Sequence, residues 1–532
     1  MSRVYSGPWV FGRLIEDRAQ RFGDEIAIIA ATGDLSYGQL RDRAARVGGA
    51  LSTLGIQPGQ RVATMLDPTP AYVAAWFGIA WCGAVDVPIN TALKGEFLRH
   101  ILASSQATAL VVHARWVERL DGLDLPDLRS VIVVGSVDPA PRGGGESAHQ
   151  TTTFDDLLAA DPVPFTERAE DDLLYIMYTS GTTGPAKGVM HNNRSALWNA
   201  RAWIDILELT ERDVAYSMFP LFHVTARSAV VTASLWGGTP AVLRERFTAS
   251  GFLDDVRETG ATWFGYMGAI IQLLWRQPER DDDADNDLRV AFGAAAPPTL
   301  IEPFQQRFGV ELLEVYGSTE LGPATAPRPG RVKRGTMGRA CEHVEVEVHD
   351  AEGHRCPPGV RGEIVARPAV PFGMFQGYWR QPEATLEAFR NLWFHTGDGG
   401  VMDEEGYLTF TDRISDSLRR RGENISSFEV ERAVQDHPGV LEAAAYAVPS
   451  ELTEDEVMVA VVAMEGVTVE PAELFAHCVE QMPYFAVPRY LRIMAELPKT
   501  PSQRVQKFKL RADGVTPDSV DRTALGIEVG RD

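Results

Sequence analysis

The sequence predicts an α/β protein: a large N-terminal domain of layered, mostly parallel sheets and helices, then a small α+β C-terminal domain. Three observations carry this expectation. Short β-rich runs ("RVATML", "ALVVH", "SVIVVG", "LLYIMYTS", "VAYSMFP", "ATWFGYMG", "RVAFG", "ELLEVYG") alternate with helical stretches, the pattern of parallel strands joined by crossover helices. The 532 residues are too many for one core at roughly 100–200 residues per domain. From about residue 414 the texture changes to β-rich runs "LEAAAYAV" and "EVMVAVVAM" with a helix over "PAELFAHCVEQM". The boundary is set near "TDRISD", giving domains 1–413 and 414–532.

The early segment "LSYGQLRDRAARVGGALSTLGI" reads as an amphipathic helix. Leu40, Ala44, Val47, Leu51 and Leu54 recur at spacings of four and three, and Gly55 is a stop signal. Residues 138–153, "DPAPRGGGESAHQTTT", read as a surface loop rich in Pro, Gly, Ser and Thr. The acidic run "PERDDDADNDL" (278–288) reads as a solvated loop, because it lacks the spacing of a calcium loop. The tail after Gly514 has weak periodicity and is expected to lie extended on the surface.

A formal charge of −22 argues against broad nucleic-acid or anionic-membrane binding, which needs a basic field. A small cationic pocket for a phosphorylated ligand remains open. Cys82, Cys341, Cys356 and Cys478 are far apart, with no CxxC pair, so inert thiols in a reducing cytoplasm are expected rather than a disulfide or zinc framework. The opening stretch has no apolar run of signal-peptide length, and no stretch is apolar for long enough to span a bilayer.

"YTSGTTGPAKGVMHNN" (178–193) is the most informative stretch. A β-rich run ends in a loop of hydroxyl residues and glycines with Lys187 inside it. Glycines let backbone N–H groups approach phosphate oxygens, and the hydroxyls of Thr179, Ser180, Thr182 and Thr183 can donate to them. It is not a Walker loop: counting from Gly181, Ala186 stands at the second glycine and Gly188 at the magnesium-binding Ser/Thr. The stretch resembles the phosphate loop of the adenylate-forming superfamily, which includes acyl- and aryl-CoA synthetases, peptide-synthetase adenylation domains and firefly luciferase.

Further motifs follow in that family's order, over roughly residues 10–513. The phosphate-loop resemblance extends the nucleotide set to Gly181, Gly184 and Lys187. "PLFHVTA" resembles the motif that sets a His or aromatic residue, here His223, beside the acyl carboxylate. "FGAAAPP" resembles the segment beside adenine, implying roles for Ala294, Ala295 and Ala296. "EVYGSTELG" resembles the signature in which Tyr316 packs on adenine, with Gly317 and Ser318 beside it, Thr319 contacts the α-phosphate and Glu320 serves Mg²⁺. "FHTGDGG" supplies Asp398 for the ribose, and Arg413 joins the nucleotide set. "TDRISDSLRRRGENISSFEVE" resembles the hinge and first loop of a mobile C-terminal domain, with Ser415 at the hinge position before Asp416. A charged residue is usual there, so this hinge is atypical.

The last of these stretches is most similar to the crotonobetaine/carnitine–CoA ligase and fatty-acyl-CoA ligase branch. That resemblance implies Mg²⁺ with ATP or acyl-AMP, and coenzyme A as co-substrate. Arg419, Arg420 and Arg421 suit the phosphates of CoA, or form a solvated basic turn; Gly422 flanks the pantetheine tunnel, with Glu423 beside it. No carrier-type serine motif follows before residue 532, so a stand-alone CoA ligase is expected. The acyl pocket is expected from His223, Arg227, Gly265, Tyr266, Met267 and Gly293, with Trp263 in its wall; Gly265, Gly268 and Ala294–Ala296 would leave room for a bulky acid. Arg227 reads as a substrate contact or as half of a structural ion pair, of which the ion pair is the more common. The family allows monomers and dimers, and the sequence does not choose between them; a homodimer through the larger domain is the working expectation.

In the family's final motif a lysine follows a glycine and bridges the carboxylate and α-phosphate during adenylation. In "PKTPSQRVQKFKLR" (498–511) those positions hold Gln503 and Arg504, and Lys507 matches a different family position. Arginine keeps the charge but is a larger planar fork, and a misplacement of ~1 Å can cost about 10²-fold. The sequence therefore predicts an acyl-CoA ligase whose adenylation step is impaired, able to take acyl-AMP from a separate adenylating enzyme. An ordinary ATP-dependent ligase that tolerates Arg504 is the first alternative. A non-catalytic nucleotide- or CoA-binding protein is the second, and nothing specific supports luciferase-like oxygenation.

Overall fold

The computed structural model describes residues 3–136, 149–179, 186–413, 418–420, 423–425, 427–449, 455–482, 486–500 and 505–529. The chain divides into two compact units. The larger holds most residues up to 346 together with 366–392; the smaller holds 347–365 and the chain from 393 onward. By compactness, 347–365 and 393–413 thus join the smaller unit, ahead of the expected boundary at 414.

The larger unit contains two seven-stranded sheets. The first runs, in spatial order, Glu311–Glu314, Val290–Ala294, Trp263–Met267, Ala215–Ser217, Ala241–Leu243, Ile26–Ala30 and Leu35–Ser36. It is parallel except for the last pair. The second runs Gln150–Thr153, Ser130–Val134, Ala107–His113, Arg61–Met65, Val85–Pro88, Leu173–Thr179 and Lys187–Asn192, again parallel except for the last pair. Its inner strands Ala107–His113 and Ser130–Val134 are near-continuous buried apolar runs, as parallel strands covered on two faces require. The helix Pro70–Trp81 is buried over all but one residue, which its uniformly apolar sequence demands.

The early helix spans Tyr37–Thr53 and buries Leu40, Ala44, Val47 and Leu51. Ser36 and Gln39 form a reciprocal capping box at its start, and Gly55 follows its end at a φ of +86°.

In the smaller unit the sheet order is Val440–Pro449, Asp455–Ala463, Tyr490–Met494 and Val520–Asp521, with the central pair parallel and the outer pairs antiparallel. Its two faces are buried separately. Val457, Val459 and Val461 pack with Val430 and Val434 of helix Ser427–Gln435 and with Leu474 and Phe475 of helix Pro471–Gln481. Met458, Ala460 and Val462 pack with Leu510 of helix Lys507–Asp513. The period-two alternation of "EVMVAVVA" supplies these faces.

Three expectations change. Gln150–Thr153 is not loop but the edge strand of the second sheet; residues 137–148 of that stretch lie outside the described residues. The acidic run 278–288 is not simply solvated: Asp283 is buried and takes Arg307 Nε at 2.6 Å, so one of its charges anchors the fold. The tail is extended in part, and it is also docked. Val520–Asp521 pairs with Tyr490 and Leu491, and the buried Arg522 donates to the Pro488 carbonyl.

Among the described residues, no helix is long and apolar enough to cross a membrane. Cys82, Cys341 and Cys478 are buried, and burial pushes their thiols up to about 11, 12 and 12, which keeps them protonated and unreactive.

Candidate active site

In the larger unit, Leu173–Thr179 and Lys187–Asn192 form an antiparallel hairpin at one edge of the second sheet, with Thr179 opposite Lys187. Ser180, Gly181, Thr182, Thr183 and Gly184 lie outside the described residues. A Cβ on Gly188 would stand 2.7 Å from Ile176 and 3.2 Å from Trp379 and Tyr178. Close packing beneath Lys187 thus accounts for the glycine where a Walker loop has Ser or Thr.

Residues 375–379 lie along the outer edge of this hairpin. The Trp379 N–H donates to Gly188 O (2.7 Å), Met190 N–H to Gly377 O (3.0 Å) and Gln376 N–H to Met190 O (2.9 Å). The same segment grips the Glu320 backbone, Phe375 N–H donating to Glu320 O at 2.9 Å. Tyr378 joins the two motifs through its side chain. Its hydroxyl donates to Glu320 Oε1 at 3.2 Å, and Lys187 Nζ lies 5.0 Å from its ring centroid, within cation–π range. Burial, with the Glu320 charge and hydrogen bond added, raises the Tyr378 hydroxyl and so keeps it a donor.

A second link runs through His191, fully buried on the returning strand. Its Nε2 lies 2.7 Å from Thr319 O and its Nδ1 3.0 Å from Ser195 Oγ. Burial lowers its pKa to about 4, so the ring is neutral, Nε2–H donates to Thr319 and Nδ1 accepts from Ser195. Thr319 and Glu320 are therefore held from two sides, Thr319 by His191 of the hairpin and Glu320 by segment 375–379.

Tyr316–Ser318 pairs with Gly322–Ala326. Gly317 is obligatory there, because a Cβ would fall 2.2 Å from Gly322 O. The buried Tyr316 follows directly on the sheet: Val315 N–H donates to Gly293 O (2.8 Å). Glu314 also accepts the Ala296 N–H at 3.1 Å, so the "GAAAPP" and "EVYGSTE" segments are tied together. Exposed Ala295 has a φ of +60°, a left-handed conformation that costs a non-glycine residue of order 1 kcal/mol or more. This strain lies where strand Val290–Ala294 ends.

The acyl-pocket residues fall into two groups. His223 lies two residues before a π-helix, Thr225–Thr232, a rare form that recurs at functional sites, and its ring lies 4.6 Å from Phe222. Met267 is half-exposed at the end of its strand. Arg227 is not a free contact: it is buried with Asp86 at 2.5 Å, donates to Leu221 O at 2.8 Å and packs 4.2 Å from the Trp76 ring. Burial works against its charge, and Asp86 and Tyr72 outweigh it, leaving the guanidinium raised. Of its two readings, the ion pair is the one realised. Tyr266 belongs to the core beneath the first sheet, and Trp263 is buried against Phe292.

Nor do the small residues simply leave room. A Cβ on Gly268 would meet Ala295 O, and one on Gly293 would lie 2.2 Å from Tyr266 O. Glycine is required at these two positions by the protein's own packing, whereas a Cβ on Gly265 would press on the Phe292 ring at 3.1 Å.

In the smaller unit, Asp398 lies on strand Phe394–Met402 opposite Arg413 in backbone register. The preceding Gly397 has a φ of +71°, and its N–H donates to Glu363 Oε1 (3.0 Å), whose second oxygen takes His395 Nδ1 at 2.7 Å. Asp398 is thus presented on a braced turn. Arg419 and Arg420 pair in register with Asn424 and Glu423 in a short hairpin. Ser415, Asp416, Arg421, Gly422 and Arg504 lie outside the described residues.

Lys499 pairs with Val505 in backbone register and its ammonium meets Glu442 at 2.5 Å. Lys507 is committed to the smaller unit's interior, with Nζ at 2.8 Å from Glu431 and 2.5 Å from Ser427 Oγ. Ser427 donates in turn to Asp412 from both N–H (2.5 Å) and Oγ (2.8 Å), capping the start of its helix.

Layered parallel sheets, a phosphate-loop hairpin braced against the Thr319–Glu320 segment, and a separate α+β unit define an adenylate-forming enzyme of the acyl-CoA ligase class. The chain belongs to the AMP-binding enzyme family, whose model matches residues 15–379, with the AMP-binding enzyme C-terminal domain matching 429–504. It is 32% identical over 510 residues to a crotonobetaine/carnitine–CoA ligase of Salmonella paratyphi B, covering 93% of this chain and 98% of that one. An anthranilate CoA ligase in complex with anthranoyl-AMP superposes with a TM-score of 0.86 at 25% identity, covering 96% of this chain and 98% of that chain. A benzoate CoA ligase from Burkholderia xenovorans superposes with a TM-score of 0.83 at 27% identity, covering 94% and 99%.

Tyr378 and Asp86 had no signal in the motif reading, and His191, though inside the phosphate-loop stretch, was given no role. Tyr378 lies 58 residues from Glu320 in sequence, and only the tertiary pairing of 375–379 with the hairpin reveals it.

Proposed function

We propose that the protein makes an acyl-CoA thioester from a small carboxylic acid by way of an acyl-adenylate, and that Arg504 impairs the first half-reaction. In that half-reaction the acid's carboxylate attacks the α-phosphorus of ATP and pyrophosphate leaves. In the second, the CoA thiolate attacks the acyl carbonyl and AMP leaves. No protein nucleophile is required. Because two anions meet in the first step, it depends on positioned positive charge.

We assign Thr179 to Gly184 and Lys187 to the phosphates, Tyr316 and Ala294–Ala296 to adenine, Thr319 to the α-phosphate, Asp398 and Arg413 to the ribose side, and His223 to the acyl carboxylate. Magnesium held by Glu320 would neutralise phosphate charge when bound. Arg419–Arg421 and Gly422 would serve CoA after rotation about Ser415–Asp416, the hinge between domains 1–413 and 414–532.

The observation that carries the impairment is the position of Lys507. Its ammonium is taken up by Glu431 and Ser427, so the nearest lysine after Arg504 is not available to replace the missing one. Thioester formation does not call on residue 504 and is retained, which allows acyl-AMP to be supplied by a separate adenylating enzyme. A specific observation favours a second reading, an ordinary two-step ligase: Lys187 and Glu320 keep their common partner Tyr378, as a working phosphate end would.

Candidate acids are supplied with ATP and CoA, and separately as synthetic acyl-adenylates with CoA. Thioester only from the adenylates supports impairment. Thioester from both at comparable rates establishes the ordinary ligase, and none from either across a broad panel leaves a binding protein. With an acid proven by its adenylate, Arg504→Lys is expected to raise pyrophosphate release by about 10-fold or more; no gain would clear residue 504.

A further inference from the structure

We propose that Tyr378 is a positioning residue that sets the Mg²⁺-binding carboxylate and the phosphate-binding lysine with a single side chain. The inference rests on the reading of Glu320 and Lys187 given above. Three observations carry it. The hydroxyl donates to Glu320 Oε1 at 3.2 Å. The ring face holds Lys187 Nζ at 5.0 Å from its centroid. The residue cannot readily turn away: its backbone bridges Val189, its N–H donates to Thr385 Oγ1 at 2.9 Å, and its neighbours Gln376, Gly377 and Trp379 are stitched to Gly188 and Met190.

The two contacts act on different parts of the ligand. A carboxylate that accepts one hydrogen bond keeps a fixed orientation and further lone pairs free for a metal, and loss of such an outer partner typically costs 10–100-fold in metal affinity. The ring does not neutralise the ammonium. It limits the flexible lysine stem and withholds it from Glu320, with which it would otherwise form an ion pair that nucleotide binding would have to break. Tyrosine performs both tasks because one end is a π-face and the other a donor. Phenylalanine would keep only the first, and leucine neither.

The test is binding of an ATP analogue with a methylene bridge between the α- and β-phosphorus, measured by calorimetry with and without Mg²⁺, which needs no knowledge of the acid. Tyr378→Phe is expected to bind the Mg²⁺-free analogue as wild type does and to lose about tenfold of the affinity gained on adding Mg²⁺. Tyr378→Leu is expected to lose that gain and also to weaken Mg²⁺-free binding several-fold. Glu320→Gln is the control. If it abolishes the Mg²⁺ gain while Tyr378→Phe keeps the gain in full, the positioning role is refuted and the reading of Glu320 stands. If Glu320→Gln keeps the gain, the reading of Glu320 fails and the proposal falls with it. Equal losses with and without Mg²⁺ in Tyr378→Phe would mark a merely structural tyrosine and also refute it.

Discussion

Replacing His191 by glutamine changes how the larger unit responds to acid, and the size of the change follows from burial. In the folded protein the imidazole is neutral, with a pKa lowered from 6.5 to about 4. In the unfolded chain it titrates at about 6.5. Between those values the unfolded state binds one more proton, so this residue's contribution is fully present above pH 6.5 and is lost as the pH falls toward 4. A gap of about 2.5 units at 1.36 kcal/mol each makes the loss about 3 kcal/mol. Glutamine can still donate to the Thr319 carbonyl but has no proton to take up. The assay is urea unfolding from pH 7 to pH 4 followed by tryptophan fluorescence, since every tryptophan except Trp393 lies in the larger unit. His191→Gln is expected to flatten stability against pH by up to about 1.4 kcal/mol per unit, the worth of one proton, while His343, also lowered to about 4 by burial, keeps its own slope in both proteins. Identical slopes for variant and wild type would mean that His191 is charged or solvated when folded. That would refute the argument that it locks Thr319 as a neutral donor.

Two other predictions concern ion pairs of different depth. Arg227→Met leaves Asp86 buried without its cation and is expected to destabilise the larger unit by about 3–5 kcal/mol, with Arg227→Met/Asp86→Asn recovering more than half, as read by denaturant titration; full stability of the single variant would contradict the pairing. Lys507→Met strands Glu431, whose side chain is 16% exposed. A loss of about 2 kcal/mol is therefore expected in the calorimetric transition of the smaller unit, discounted for that exposure, and Glu431→Gln in the same chain should restore part of it.

The fold was legible because its signals are local and periodic. Short apolar runs mark many of the parallel strands, and "EVMVAVVA" shows by alternation which residues face which helix layer. What escaped was decided by long-range contact. The TTT of Gln150–Thr153 has no apolar side chain to mark a strand; it becomes one because strand Ser130–Val134 offers it an unpaired edge. Asp283 looked like one of many surface acids until Arg307 claimed it. In the candidate site, motif order singled out Lys187, Tyr316 and Glu320, but Tyr378, which contacts both Lys187 and Glu320, comes from elsewhere in the chain. Small residues were misleading for a related reason. A glycine near a pocket reads as space, yet Gly268 and Gly293 are filled by a neighbouring carbonyl, and only coordinates distinguish an empty place from an occupied one.

The basic strip 498–511 shows how that distinction bears on function. By sequence it offers several cations near residue 504, any of which might be imagined to serve adenylation. Two of them are already spent: Lys499 pairs with Glu442, and Lys507 with Glu431 and Ser427. The Lys507 contacts also tie helix Lys507–Asp513 to the helix that begins at Ser427, and through Ser427 to Asp412. Moving that ammonium to a substrate would break an interior network and leave Glu431 uncompensated, a cost of the same order as the pair itself. On the proposed reading, Lys499 and Lys507 are thus unavailable to the first half-reaction, and the position that aligns with the family's lysine is Arg504. That makes residue 504, rather than the net charge of the strip, the position on which the two functional readings divide.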